Sequence, residues 1–186
     1  MIDGPPGYGL VDRARIHPGP TDSVAIELTR MMIARRWKPS NRKGVSLAGR
    51  ICFSDTIWPS GPEATLFNKF LETIPDAQQV PRNDVEQRPG RRSFHALQVN
   101  KYDPKLWAGP EPHVDSGNAG TSWMIVLGDF QGGAFYIRDR PAPAHPTKIE
   151  IRNKWILFDG LKEHWADPIT AGTRYSAIAF SFADLA

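Results

Sequence analysis

Three side chains in the C-terminal half have the types and spacing to hold one metal ion. His113-Val114-Asp115 places an imidazole and a carboxylate at i and i+2, and His164 follows fifty-one residues later. On an extended segment, i and i+2 point the same way, so His113 and Asp115 can reach a common ion. His164 must then arrive on another strand. Two imidazoles and one carboxylate are the donor set of the facial triad of non-haem Fe(II), which holds one face of an octahedron and leaves the rest open. Arg174-Tyr175-Ser176 begins ten residues after His164 and repeats the i, i+2 geometry. A guanidinium forks onto a carboxylate and a hydroxyl adds one more hydrogen bond, so the pair suits the distal carboxylate of a dicarboxylic acid beside the metal.

These residues need strands to position them. The 186 residues include 16 Gly and 17 Pro, a share that favours a turn-rich, mainly β chain over a helical bundle. From residue 93 onward the pattern predicts strands at 93–102, 121–128, 133–138, 147–152, 154–159 and 174–182, with a turn at 129–133. Before residue 93, Thr21-Asp22-Ser23 offers capping side chains. Val24, Ala25, Leu28, Met31 and Met32 then recur at helical spacing, which predicts a helix over about 23–37. A second helix starts at the capping box Ser60-Gly61-Pro62-Glu63, presents Leu66, Phe67, Phe70, Leu71 and Ile74 on one face, and stops at Pro75. Residues 1–20 read as an irregular Gly/Pro arm, and 38–50 and 75–92 read as polar loops. The expected fold class is α+β, mainly β. An N-terminal part, 1–92, packs its arm, two helices and basic loops on a β core, 93–186, within one structural domain.

The order of these motifs resembles the Fe(II)/2-oxoglutarate-dependent dioxygenases, whose fold is a double-stranded β-helix of jelly-roll type. Asn100-Lys101-Tyr102 precedes the His-x-Asp as an Asn-x-Tyr does in many members. The segment from Lys154 to Gly160 leads into His164 as the strand before the distal His does. The resemblance implies Fe(II) on His113, Asp115 and His164. It implies 2-oxoglutarate on Arg174, Ser176, Asn100 and Tyr102, with O₂ as second co-substrate, and the co-substrate would leave as succinate and CO₂. The form His113-Val114-Asp115-Ser116-Gly117-Asn118 is similar to the TET/JBP class of nucleobase dioxygenases, which oxidise the 5-methyl group of cytosine or thymine. It makes Asn118 a candidate contact to the flipped base. The AlkB-like demethylases share Asn-x-Tyr and His-x-Asp but usually carry Glu at the place of Asn118 and a further Arg after Ser176, which is absent here. A departure from the large TET enzymes is the lack of a Cys-rich region, since Cys52 is the sole cysteine.

Charge is consistent with a polyanionic substrate. The net +3 divides into +4 over residues 1–100 and −1 over 101–186. Between residues 30 and 50 stand seven basic side chains and no acidic one. That run, together with Arg88, Arg91 and Arg92, is a candidate phosphate-binding surface. Trp107, in the Gly/Pro loop before the His-x-Asp, is a candidate for stacking on a base. His17, His95 and His145 are read as packed or surface residues. The partner expected is nucleic acid, DNA before RNA, with no membrane and no obligate protein partner. One cysteine excludes an intrachain disulfide and a Cys-based zinc site and fits an intracellular, reducing compartment. The longest apolar run, 123–127, is far short of a membrane span, and the N-terminus has no leader pattern. Two other readings stand beside this one. The first keeps the chemistry and changes the substrate: a 2-oxoglutarate hydroxylase of protein side chains or small molecules, or an AlkB-like nucleic-acid demethylase. The second is a metal-free β-helix domain that binds nucleic acid.

Overall fold

A computed structural model describes residues 9–11, 14–23, 25–27, 30, 38–39, 47–52, 72–75, 96–104, 111–138 and 145–182. These residues contain thirteen strands: β1 (Gly9–Val11), β2 (Ala14–Pro18), β3 (Lys38–Pro39), β4 (Leu47–Cys52), β5 (Ala96–Tyr102), β6 (Asn118–Leu127), β7 (Phe130–Gly132), β8 (Phe135–Arg138), β9 (Thr147–Ile149), β10 (Lys154–Asp159), β11 (Glu163–Ala166), β12 (Ile169–Gly172) and β13 (Arg174–Phe182). Eight of them form one antiparallel sheet in the order β1-β2-β10-β6-β13-β5-β4-β3. The others form a three-stranded sheet, β11-β8-β9, and a two-stranded one, β12-β7.

The apolar pattern explains which strands lie at the centre. Residues 122–127 on β6 are all buried, the signature of a strand covered on both faces. Its Met124 and Val126 join a core with Tyr102, Ile156 and Phe158 of the large sheet. Phe135, Ile137, Ile149 and Ala166 from the three-stranded sheet complete that core, with Phe130 and Ile169 from the pair β7 and β12. The alternate residues, Trp123, Ile125 and Trp155, are buried as well. Trp123 meets His17 edge-on at 4.9 Å, and Trp155 Nε1 donates to Thr73 Oγ1 at 3.2 Å. The segment 72–75 thus docks on this layer, with Ile74 buried beside it.

Several sequence expectations are corrected. The supposed irregular arm contributes β1 and β2, and β2 pairs along β10 from Pro18↔Lys154 to Ala14↔Phe158. The supposed loop 38–50 contains β3 and most of β4, and β4 pairs with β5 from Leu47↔Lys101 to Cys52↔Ala96. The turn expected at 129–133 holds β7, and β11 and β12 were not foreseen. All of these segments are short or rich in Gly, Ala and charged residues. They become strands through pairing with stronger neighbours, a tertiary effect that local propensity does not carry.

The expected helices are described only in part. Residues 22, 23, 25–27 and 30 are helical, and Ala25 N–H bonds the Thr21 carbonyl at 2.9 Å. Of the second helix, only its end at 72–75 is described, with Glu72 helical. The loop 75–92 beyond Pro75 lies outside the described residues, as does Trp107.

Candidate active site

Two backbone hydrogen bonds bring the distant histidines together. His113 N–H bonds the His164 carbonyl at 3.1 Å, and His164 N–H bonds the His113 carbonyl at 2.9 Å. This reciprocal antiparallel bridge puts both imidazoles on one side, with ring centroids 4.5 Å apart. Asp115, two residues on, is fixed by its own N–H to the Gly160 carbonyl at 2.8 Å. Donor atoms of His113, Asp115 and His164 all lie within 4.8 Å of one another, and His164 Nε2 is 3.6 Å from Asp115 Oδ2. The sequence motif is therefore a spatial cluster.

The cluster's hydrogen bonding fits a metal. His113 Nδ1 lies 2.9 Å from the Glu111 carbonyl, and His164 Nδ1 lies 2.9 Å from the Lys162 carbonyl. A carbonyl oxygen can only accept, so each ring carries its proton on Nδ1 and keeps the Nε2 lone pair for a ligand bond. His164 is 5% exposed and packs against Phe158 and Phe135, with centroids at 5.1 and 5.8 Å. This burial pulls its imidazole below the ordinary histidine range, while the Lys162 carbonyl and the Asp115 carboxylate oppose the effect. The neutral ring is the form that binds a cation. Two nitrogens and one carboxylate, each oriented by the backbone, form the donor set suited to non-haem Fe(II).

A second cluster lies across the register of β5 and β13. Arg174 stands opposite Tyr102, and Ser176 opposite Asn100, so two i, i+2 pairs on neighbouring strands make one four-residue tile. Asn100 Nδ2 donates to Tyr102 Oη and Ser176 Oγ at 3.4 Å each, and the two hydroxyls are 3.3 Å apart. Gln98 Nε2 holds Asn100 Oδ1 at 3.0 Å, which fixes the amide's orientation. Arg174 is 2% exposed, and its guanidinium carbon lies 4.6 Å from the centre of the Tyr102 ring. Burial lowers its proton affinity, and Tyr102 partly restores it.

Both clusters open on the same cavity, of about 310 Å³. His113, Asp115 and His164 line it with Asn100, Tyr102 and Arg174, and Met124, Phe135, Phe158 and Ile178 supply apolar wall. A buried guanidinium, a phenol and an amide facing a metal-type triad across a small apolar chamber can chelate and orient a dicarboxylate.

Asn118 is placed differently from the cavity-lining residues. Its Nδ2 donates to Asp115 Oδ2 at 3.3 Å and to Ser122 Oγ at 3.4 Å, so both amide hydrogens are engaged. Arg88, Arg91, Arg92 and Trp107 lie outside the described residues. Sequence reasoning missed Ser122, Gly160, Phe135 and Phe158 at the site. Of these, only Asp159-Gly160, a turn dipeptide at a strand end, carried a local signal.

No family model matches the chain, and no curated protein matches it. Solved structures do. The chain is similar to NgTET1 in complex with 5mC DNA, at 15% identity and a TM-score of 0.57, covering 92% of this chain and 72% of that one. It is similar to an oxidoreductase of the 2OG-Fe(II) oxygenase family from Burkholderia pseudomallei, at 17% identity and a TM-score of 0.57, covering 90% and 82%. At these identities the likeness establishes the fold: a mostly β chain shaped as these oxygenases are. Among the described residues, no helix is long and apolar enough to cross a membrane.

Proposed function

We propose that the protein is an Fe(II)- and 2-oxoglutarate-dependent dioxygenase that hydroxylates the 5-methyl group of 5-methylcytosine, or of thymine, in nucleic acid. The observation that carries the reading is the shared cavity. The His113–Asp115–His164 cluster lines it together with the buried Arg174. The fold likeness supports it, and we read the three sheets as a double-stranded β-helix. When bound, Fe(II) with 2-oxoglutarate and O₂ supplies the oxidising power, one oxygen atom going to the methyl group and the other to succinate.

The chain's own residues do the positioning. His113, Asp115 and His164 present their lone pairs to the metal from one side. Arg174 and Ser176, braced by Asn100 and Tyr102, take the distal carboxylate of the co-substrate and fix its direction toward the triad. Phe135 and Phe158 pack on His164 and keep water from that side of the ring. A base in a duplex cannot enter such a cavity in its stack, so it must be flipped out or already single-stranded, at a cost of a few kcal/mol for unstacking. Trp107 would stack on the extruded base. Arg88, Arg91 and Arg92, with the basic run 30–50, would hold the phosphates. Asn118 would meet the base edge through Oδ1, since its two N–H groups are engaged.

The test is turnover of a 5-methylcytosine oligonucleotide, single- and double-stranded, by anaerobically prepared protein given Fe(II), 2-oxoglutarate and then air. Mass spectrometry should find 5-hydroxymethylcytosine. No oxidised base from either form would sink the substrate assignment. A second reading, a hydroxylase of protein side chains or small molecules, keeps the oxygenase chemistry named for the Burkholderia neighbour, of equal TM-score, and changes the substrate. Succinate release that ignores the oligonucleotide and follows a peptide or metabolite would select it.

A further inference from the structure

The carboxylate of Asp115 is 26% exposed, and two single bonds separate it from the backbone. Left alone it would rotate, and a ligand that rotates loses entropy when it binds a metal. Its closest restraint is Asn118. The Asn118 amide nitrogen donates to Asp115 Oδ2 at 3.3 Å, and the Asn118 backbone N–H bonds the Asp115 carbonyl at 3.0 Å. Both ends of one residue thus close on the other across a three-residue step. A carboxylate oxygen only accepts, so the side of the amide facing it must be the nitrogen. The second amide hydrogen is tied to Ser122 Oγ at 3.4 Å, and Ser122 is fully buried on β6.

Gly160 leaves the space for this pair. A Cβ at position 160 would stand 3.2 Å from Asn118 Nδ2, 3.5 Å from Asp115 Cβ and 3.6 Å from Asp115 Oδ2. The same glycine accepts the Asp115 N–H through its carbonyl. The residue with no side chain stands where amide and carboxylate crowd a backbone.

We infer that Asn118 is a positioning residue for Asp115. Its amide, anchored on Ser122 and given room by Gly160, fixes the carboxylate's rotation at the metal before any substrate arrives. The inference rests on reading His113, Asp115 and His164 as metal ligands. It is independent of the nucleobase assignment.

The test separates a carboxylate-positioning role from contact with a base. Fe(II) alone is titrated anaerobically by calorimetry into wild type, Asn118→Ala, Asn118→Ser and Gly160→Ala, with far-UV circular dichroism to check folding. Outer partners of metal ligands typically change affinity by about 10–100-fold. Asn118→Ala and Asn118→Ser should weaken Fe(II) binding within that range. Gly160→Ala should weaken it less, because the amide remains but is displaced. Succinate formation without oligonucleotide should slow, a readout in which no base takes part. Unchanged Fe(II) affinity with a raised oligonucleotide KM would overturn the inference and make Asn118 a base contact. If wild type binds no Fe(II), the metal reading and this inference fall together. If wild type binds Fe(II) but oxidises no base, only the substrate reading falls and the titration still decides. Should Asn118→Ala not fold, Ser122→Ala frees the amide from its anchor and gives the same comparison.

Discussion

Arg174 illustrates what a buried charge asks of its surroundings. Its guanidinium is almost fully enclosed, lies over the Tyr102 ring and shares a cavity with Asn100 and the triad. A fork with this geometry gains most from a carboxylate that takes two hydrogen bonds at once. Arg174→Lys keeps the charge and loses the fork. Hydrogen bonds to charged groups contribute about 1.5–3 kcal/mol, so 2-oxoglutarate affinity should fall by roughly 10–100-fold in a calorimetric titration of metal-loaded protein. Tyr102→Phe, which removes one neutral hydroxyl, should cost about 1 kcal/mol or less. His164 gives a pH signature in the metal-free protein. Its folded pKa lies below the ordinary 6.5, chiefly through burial. As pH falls below 6.5, the unfolded chain takes up a proton that the folded chain refuses, so stability present above that pH erodes. Denaturant unfolding at stepped pH should show this slope, and His164→Gln should flatten it; an unaltered slope would assign it to other groups. Alternation made the Arg-x-Ser tile legible in the sequence, because i and i+2 share a face in any strand; His113 and Asp115 were legible as a motif, and they stand at an isolated bridge ahead of β6 rather than within a strand. The Asn118 contacts were not legible. An i+3 residue entering a strand has no fixed direction, and Ser122 and Gly160 meet it only through folding.

At the scale of elements, legibility followed apolar content. β6, β8, β10 and β13 announce themselves by Val, Ile, Phe and Trp; the predicted ranges of β10 and β13 coincide with the observed strands, and those of β6 and β8 differ by a few residues at their ends. β11 did not, since Glu163-His164-Trp165-Ala166 carries no clear alternation of polar and apolar. It is a strand because it pairs with β8, from Glu163↔Arg138 to Ala166↔Phe135. Outside the core, Arg138 is ion-paired with Glu163, and Tyr136 stacks on Trp165 at 5.2 Å. That pairing delivers His164 to His113. The turn from β6 to β7 governs the other cluster. Gly128 adopts φ 109°, and a methyl there would collide with the Thr173 carbonyl oxygen. Thr173 N–H in turn bonds the Asp129 carbonyl at 2.8 Å, and Arg174 is the next residue. Gly128→Ala should therefore destabilise the fold by more than about 1 kcal/mol. At this chain length that corresponds to a fall in Tm of about 2–4 °C per kcal/mol. It should also weaken 2-oxoglutarate binding, because the start of β13 moves with the turn. A lowered Tm with normal co-substrate affinity would show that the turn supports stability alone.

For the whole molecule, the division of charge fits the division of labour. The near-neutral residues 101–186 contain the triad and Arg174, and the excess of +4 lies in residues 1–100. Part of that basic half is built into the large sheet, for β3, within the run 30–50, and β4, which begins within it, extend the sheet beyond β5. The large sheet carries Asn100, Tyr102, Met124, Phe158 and Arg174 of the candidate site, and β3 and β4 belong to the same sheet. If the basic residues hold a polyanion, they do so by releasing condensed counterions, and the salt dependence counts them. For duplex DNA, log K falls against log salt with a slope of about −0.9 per neutralised phosphate, and for a single strand about −0.7. Fluorescence anisotropy of a methylated oligonucleotide across a salt series should give a steep negative slope for wild type. Replacing Arg88, Arg91 and Arg92 together by alanine should make it shallower by about 2.7 on duplex or about 2.1 on a single strand, if each contacts one phosphate. Fe(II) affinity should be untouched, since a guanidinium has no lone pair to offer a cation and the candidate ligands are His113, Asp115 and His164. An unchanged slope would remove these arginines from the interface and leave the basic run 30–50 as its remaining source of charge.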